Sequence, residues 1–130
     1  MIVLDTHIWL WWINNDVYRL GQEKVDLIQS ADIVTVSAIS CFEVAWLDIH
    51  GRIELPCSRE TWFRKALEGS GVVLTPITPE IATAAAELPE HHSDPQDRLI
   101  IATALVHHAR LMSMDKKFLQ YREIVEYLLR

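Results

Sequence analysis

Residues 93–105 read SDPQDRLIIATAL, and this stretch decides how the rest of the chain is read. Asp94 followed by Pro95 marks a helix start: a side-chain oxygen that caps free N–H groups, then a ring that pre-sets the first helical φ. Asp97 falls at the third helical position, where a negative charge meets the positive end of the helix dipole, so capping alone accounts for both acids. The residues that follow argue for more. Leu99, Ile100, Ile101, Ala102, Ala104, Leu105 and Val106 leave almost no polar face, which marks a helix packed on most sides. Acids at the mouth of such a helix call for a cation.

Three other acids share this placement at the edge of an apolar run. Asp5 ends Ile2-Val3-Leu4, Glu43 interrupts the run from Ile39 to Leu47, and Asp115 follows Leu111-Met112-Ser113-Met114. Carboxylates are rarely buried without partners, and a lone buried charge costs several kcal/mol or takes up a proton. Arg98 adjoins Asp97 and Lys116-Lys117 adjoin Asp115, but no Lys or Arg lies within three residues of Asp5 or Glu43. If the acids converge, a divalent metal is the natural counter-charge, and oxygen-only ligation favours Mg²⁺ or Mn²⁺ over zinc.

The 130 residues suffice for one domain with a real core, and half of them are hydrophobic. With no repeat, linker or low-complexity tract, the chain is expected to be globular over 1–130. Its apolar runs fall short of the ~18 residues of a membrane span. No basic region followed by a long apolar segment opens the sequence, so a soluble, cytoplasmic protein is expected. Cys41 and Cys57 read as reduced structural residues. A net charge of −6 argues against holding nucleic acid by bulk electrostatics. It does not exclude a nuclease, because acids awaiting metal inflate the negative count.

Along the chain, Met1–Leu4 reads as a buried parallel strand with Asp5 at its carboxyl end, the edge where ligands bind in open α/β sheets. Thr6 is expected to cap a short helix dense in tryptophan (Trp9, Trp11, Trp12), which reads as core packing with one indole left for a surface. Helices are expected at 21–30, from Ser37 to about His50, from Ser58 to about 68, and after Thr78-Pro79. Strands are expected at 33–36, 72–74 and 111–113. Glu43 sits mid-helix with Ile39, Trp46 and Leu47 as same-face neighbours, so it points toward apolar surface. Alternating strands and helices predict a three-layer α/β/α sandwich on a short central parallel sheet of four strands.

His91, His92 and Asp94 lack zinc spacing, and the two histidines are expected in a loop at the rim of the site. No glycine-rich phosphate loop or nucleophile elbow occurs. Asp5 alone does not make a phospho-aspartate site.

Four motifs run along the chain: Leu4-Asp5-Thr6-His7, Ser37-Ala38-Ile39-Ser40 followed by Glu43, Asp94-Pro95-Gln96-Asp97-Arg98 with Ile101-Ala102-Thr103-Ala104, and Ser113-Met114-Asp115. Through them the chain resembles the PIN-domain ribonucleases, in particular the VapC toxins of bacterial toxin–antitoxin pairs. Four motifs in this order are specific where any one is weak. Gln96 stands where relatives usually carry phenylalanine, and Ser113 where threonine is more usual. The resemblance implies an acidic quartet of Asp5, Glu43, Asp97 and Asp115, with Asp94 nearby, holding Mg²⁺ or Mn²⁺ to hydrolyse RNA with an activated water. It places Thr6 and Ser113 where their hydroxyls orient the ligands. Arg98, Lys116 and Lys117 are candidates for the RNA backbone. It also implies a homodimer and a small antitoxin partner. A nuclease acting on DNA, and a PIN-like module that only binds protein, are the readings that compete with this one.

Overall fold

The computed structural model describes residues 1–90 and 94–130. In order these form β1 (Ile2–Leu4), α1 (Thr6–Ile13), α2 (Val17–Leu20), α3 (Gln22–Ser30), β2 (Val34–Ser37), α4 (Ala38–Ile49) and α5 (Arg59–Glu68). They continue with β3 (Val72–Thr75), α6 (Pro79–Glu87), α7 (Pro95–Val106), β4 (Arg110–Met112), a 3₁₀ helix (Lys116–Gln120), α8 (Arg122–Val125) and β5 (Leu128–Leu129).

The strands pair in the order β3-β2-β1-β4-β5, all parallel. Period-2 geometry sends alternate side chains of β1 to opposite faces. Ile2 and Leu4 join a core with Ile8, Trp9, Val25, Val44 and Trp62, while Val3 joins Ile100, Ile101, Leu111, Phe118 and Ile124. Helices therefore cover both faces, as the continuous apolar strands require. Helix α7 is as enclosed as its composition dictates: Ile100, Ile101, Ala102 and Ala104 are fully buried, and Ala102 meets Ile81 and Ala85 of α6. Helix α4 bridges the layers, with Val44 in the first core and Ile39 against the second.

After β1 the chain steps outward through β2 and β3, then returns to place β4 on the other side of β1. This reversal opens a crevice at the carboxyl ends of β1 and β4, the usual ligand position in open parallel sheets. Asp5 follows β1 directly, and Asp115 lies just past β4.

Several expectations are corrected. Among the described residues the sheet has five strands, because Leu128–Leu129 adds to the β4 edge with the register Leu111↔Leu128. Helices α2 and α8 and the 3₁₀ turn were not anticipated. Asp5, not Thr6, caps α1: its side chain accepts the Thr6 N–H, leaving Thr6 as the first helical residue. Caps at Ser37, Ser58, Thr78 and Asp94 stand where the sequence puts them. Trp9 and Trp62 are buried and meet edge to face with ring centres 5.0 Å apart. His91 and His92, expected at the rim of the site, lie outside the described residues. Among the described residues no helix is long and apolar enough to cross a membrane.

Candidate active site

Asp5 is held from two sides. One carboxylate oxygen accepts the Thr6 N–H at 2.8 Å, and the other accepts the Ser113 hydroxyl at 2.7 Å. Ser113 Oγ in turn accepts the Asp115 N–H at 3.0 Å, so one hydroxyl ties the acid after β1 to the acid after β4. The Asp115 carboxylate accepts the Lys117 N–H at 2.9 Å and starts the 3₁₀ turn. Thr6 Oγ1 donates to Ser40 Oγ at 2.9 Å, joining the start of α1 to the first turn of α4. These contacts fix side chains that the chain brings from far-apart positions.

Asp5, Glu43, Asp94, Asp97 and Asp115 all line one cleft of about 240 Å³, together with His7, Trp46, Leu47, Gln96 and Lys117. The electrostatic result is visible in the acids themselves. Burial, followed by repulsion from Asp94, Asp5, Asp115 and Glu43, pushes the Asp97 pKa up to about 8. Burial and then the Asp5 charge push Glu43 up to about 7, against a smaller opposing effect of the Thr6 hydroxyl. Burial also raises Asp5, partly offset by the Ser113 and Thr6 bonds and the nearby His7. At neutral pH and without a cation, Glu43 and Asp97 therefore hold protons much of the time, the response of crowded carboxylates to one another.

The four expected acids and Asp94 thus come together, with Thr6 and Ser113 as their hydroxyl supports. The basic residues divide. Lys117 lines the cleft, and Lys116 is exposed beside it. Arg98 is a correction: it is 8% exposed, and its guanidinium donates to the carbonyls of Pro89 at 2.9 Å, Ala86 at 3.2 Å and Leu88 at 2.6 Å. A guanidinium committed to the last carbonyls of α6 and the residues after it is not presented to an RNA backbone. It pins α6 to the first turn of α7 instead. His7, Trp46, Leu47 and Gln96 are cleft residues not anticipated as such. Trp46 had a signal, since it follows Glu43 by one helical turn, and His7 follows Asp5 by two residues.

The donor set tests whether a metal suits the cleft. All five acids are hard oxygen donors, matching Mg²⁺ or Mn²⁺ and ill suited to zinc. Their mutual repulsion is what a divalent cation relieves. Among the described residues no three His, Cys, Asp or Glu side chains already form a ligating group. The chemistry fits, with the carboxylates having to draw inward around an ion.

The PIN domain family profile matches residues 2–124. Ribonuclease VapC22 of Mycobacterium tuberculosis is 38% identical over 122 residues, which is 93% of this chain and 92% of that protein. A toxin–antitoxin complex from Klebsiella pneumoniae aligns with TM-score 0.67 and 19% identity over 100% of this chain and 97% of that one. VapBC2 from Rickettsia felis, bound to a DNA fragment from its promoter, gives TM-score 0.67 and 20% identity over 99% and 98%. FitAcB from Neisseria gonorrhoeae gives 0.61 and 20% over 100% and 97%. The solved structures share the fold, the sequence relative shares residues throughout, and on both grounds the chain belongs to the PIN-domain family, in its VapC group.

Proposed function

We propose that this protein is a metal-dependent endoribonuclease and the toxin of a type II toxin–antitoxin pair. The observation that carries this reading is five carboxylates lining one cleft at the carboxyl edge of a PIN-domain sheet. Kinship with Ribonuclease VapC22 supports RNA as the substrate. Asp5, Glu43, Asp97 and Asp115 would hold Mg²⁺ or Mn²⁺, with Asp94 beside them. When bound, the ion supplies positive charge to the phosphate being cleaved and acidifies the water that attacks it. Ser113 and Thr6 N–H keep both Asp5 oxygens oriented, so this ligand does not have to be ordered at each turnover. To hold a cation, Glu43 and Asp97 would have to give up the protons that their raised pKa values favour, so binding would tighten as pH rises. Lys117 lines the same cleft and would pair with a phosphate oxygen.

The test uses single-stranded RNA and a matched single-stranded DNA with Mg²⁺, Mn²⁺ or excess EDTA. RNA alone should be cut, only with metal, and Asp5→Asn should abolish cutting while keeping the native circular dichroism. Undiminished cutting after rigorous metal removal would refute the ligand roles. Equal cutting of DNA would overturn the ribonuclease assignment.

The same reading covers residues 1–130 as one cytoplasmic domain that pairs with a second copy and with a small antitoxin. Phe42 and Ile49, seven residues apart on one face of α4, are 55% and 65% exposed, and an apolar ridge of this kind supports self-association. An antitoxin segment carrying Arg or Lys would pair with the cleft carboxylates, and its grip would weaken with salt.

A further inference from the structure

The acidic cleft has one aromatic wall. Trp46 follows Glu43 by one turn of α4 and lines the cleft beside it. It is 40% exposed, whereas Trp9 and Trp62 are fully buried. The His50 imidazole stacks on this indole with ring centres 4.0 Å apart and planes inclined by 18°. His50 Nδ1 lies 2.8 Å from the Trp46 carbonyl oxygen; a carbonyl only accepts, so Nδ1 carries the proton and donates. The Arg52 guanidinium lies over the same indole, 6.0 Å from its centre. Two backbone bonds hold this turn, Gly51 N–H to the Asp48 carbonyl at 3.1 Å and Arg52 N–H to the Leu47 carbonyl at 2.8 Å. Gly51 has φ 67°, a left-handed conformation that suits glycine and folds Arg52 back along the helix.

A second hollow, about 360 Å³, shares His7 with the cleft and is lined also by Trp11, Asn14, Arg19 and Arg52. An arginine after a helix suits its dipole. That accounts for Arg52, but not for a half-exposed indole stacked at the lip of a row of carboxylates. Planar faces beside guanidinium groups are what unstacked nucleotides bind: bases lie on aromatic rings and phosphates pair with arginine. Duplex RNA offers no free base faces of this kind.

We propose that Trp46, His50 and Arg52 form a nucleotide subsite for single-stranded RNA. The Trp46–His50 stack receives a base flanking the scissile phosphate, and Arg52 and Arg19 take the phosphates that follow into the second hollow. This rests on the ribonuclease reading and adds to it where the strand lies. Arg19 is half committed to Asp16 at 3.6 Å and is the weaker contact of the two arginines.

The experiment measures cleavage kinetics, and binding in metal-free buffer, with a single-stranded RNA of about ten nucleotides, within the span of one such binding surface. Trp46→Ala should weaken binding and raise KM by about tenfold, the scale of one lost stacking contact, with kcat little changed. Trp46→Phe should recover most of the loss. Arg52→Gln should weaken binding and lower the slope of log affinity against log salt by about one. A duplex of the same length should bind equally to all variants. The inference is overturned if the intact protein does not bind the single strand, or if Trp46→Ala and Arg52→Gln leave KM unchanged while the intact protein still cleaves RNA. It is also overturned if Trp46→Ala lowers only the assembled mass, which would make the ledge a protein contact. Failure of the intact protein to cut any RNA would strike the ribonuclease reading itself.

Discussion

Asp97→Asn separates the two explanations of this residue, helix-start acid and crowded cleft acid, because they predict opposite signs. A carboxyl whose pKa is raised from 3.8 to about 8 in the folded state keeps a proton that the unfolded chain gives up between those values. Its contribution to stability is complete below the unfolded pKa and is lost as pH rises through the folded one. The ceiling on that loss is about 6 kcal/mol, since each pH decade is worth ~1.36 kcal/mol. Part of it is repulsion from Asp94, Asp5, Asp115 and Glu43, which eases as those groups take up protons, and a buried amide carries its own desolvation cost; about 2 kcal/mol should remain. Against this, a negative charge in the first turn of α7 contributes ~0.3–1 kcal/mol through the helix dipole, which the variant forfeits. Repulsion and burial therefore win. In EDTA at pH 8.5, Asp97→Asn should melt roughly 4–7 °C above the parent, the net of about 1–1.7 kcal/mol taken at ~4 °C per kcal/mol for a chain of this size. At pH 3.5, below both the unfolded and the folded value, the two should nearly coincide. Differential scanning calorimetry across this range reads both quantities. A variant that melts lower than the parent at pH 8.5, or a difference that ignores pH, would refute the reasoning and leave Asp97 as a capping acid.

Arg98→Met removes a buried guanidinium from three carbonyls, so it should cost about 3 kcal/mol and lower the melting temperature by roughly 10 °C, with Arg98→Lys recovering only part. A melt within two degrees of the parent would show that the three bonds are dispensable. Size-exclusion chromatography with light scattering should give a dimer mass that Ile49→Lys reduces to that of one chain; a single-chain mass for the parent over a tenfold dilution would rule the dimer out.

What was legible in the sequence was what local chemistry fixes. Continuous Ile-Val-Leu and Val-Thr-Val runs followed by capping residues suit doubly covered parallel strands, and Ser37, Ser58, Thr78 and Asp94 each offer a side-chain oxygen to free N–H groups where an apolar period begins. The acids were legible because each interrupts or ends such a run. The C-terminal segment was not, since β5 has two residues and α8 four, too short to show any period, and they owe their existence to an open strand edge supplied by β4. Helix α2 is hidden for the same reason, being one turn long. Arg98 was misread because adjacency to Asp97 suggested an outward charge. Its burial is decided by the end of α6, about ten residues back, which supplies three acceptors. Asp5 took the cap assigned to Thr6, and nothing in a sequence distinguishes which of two adjacent side-chain oxygens reaches the N–H.

The central strand is the first to be made and the last to be completed. During synthesis β1 leaves the ribosome early, yet the neighbour on one of its sides is β4, and the Ser113 hydroxyl that braces Asp5 lies 108 residues later. At ~5–20 residues per second, the first acid waits on the order of 5–20 s for its brace and for Asp115. No shorter nascent chain carries an assembled cleft. A nuclease built this way has no complete acidic cleft until the segment carrying β4, Ser113 and Asp115 has followed β1 out of the ribosome.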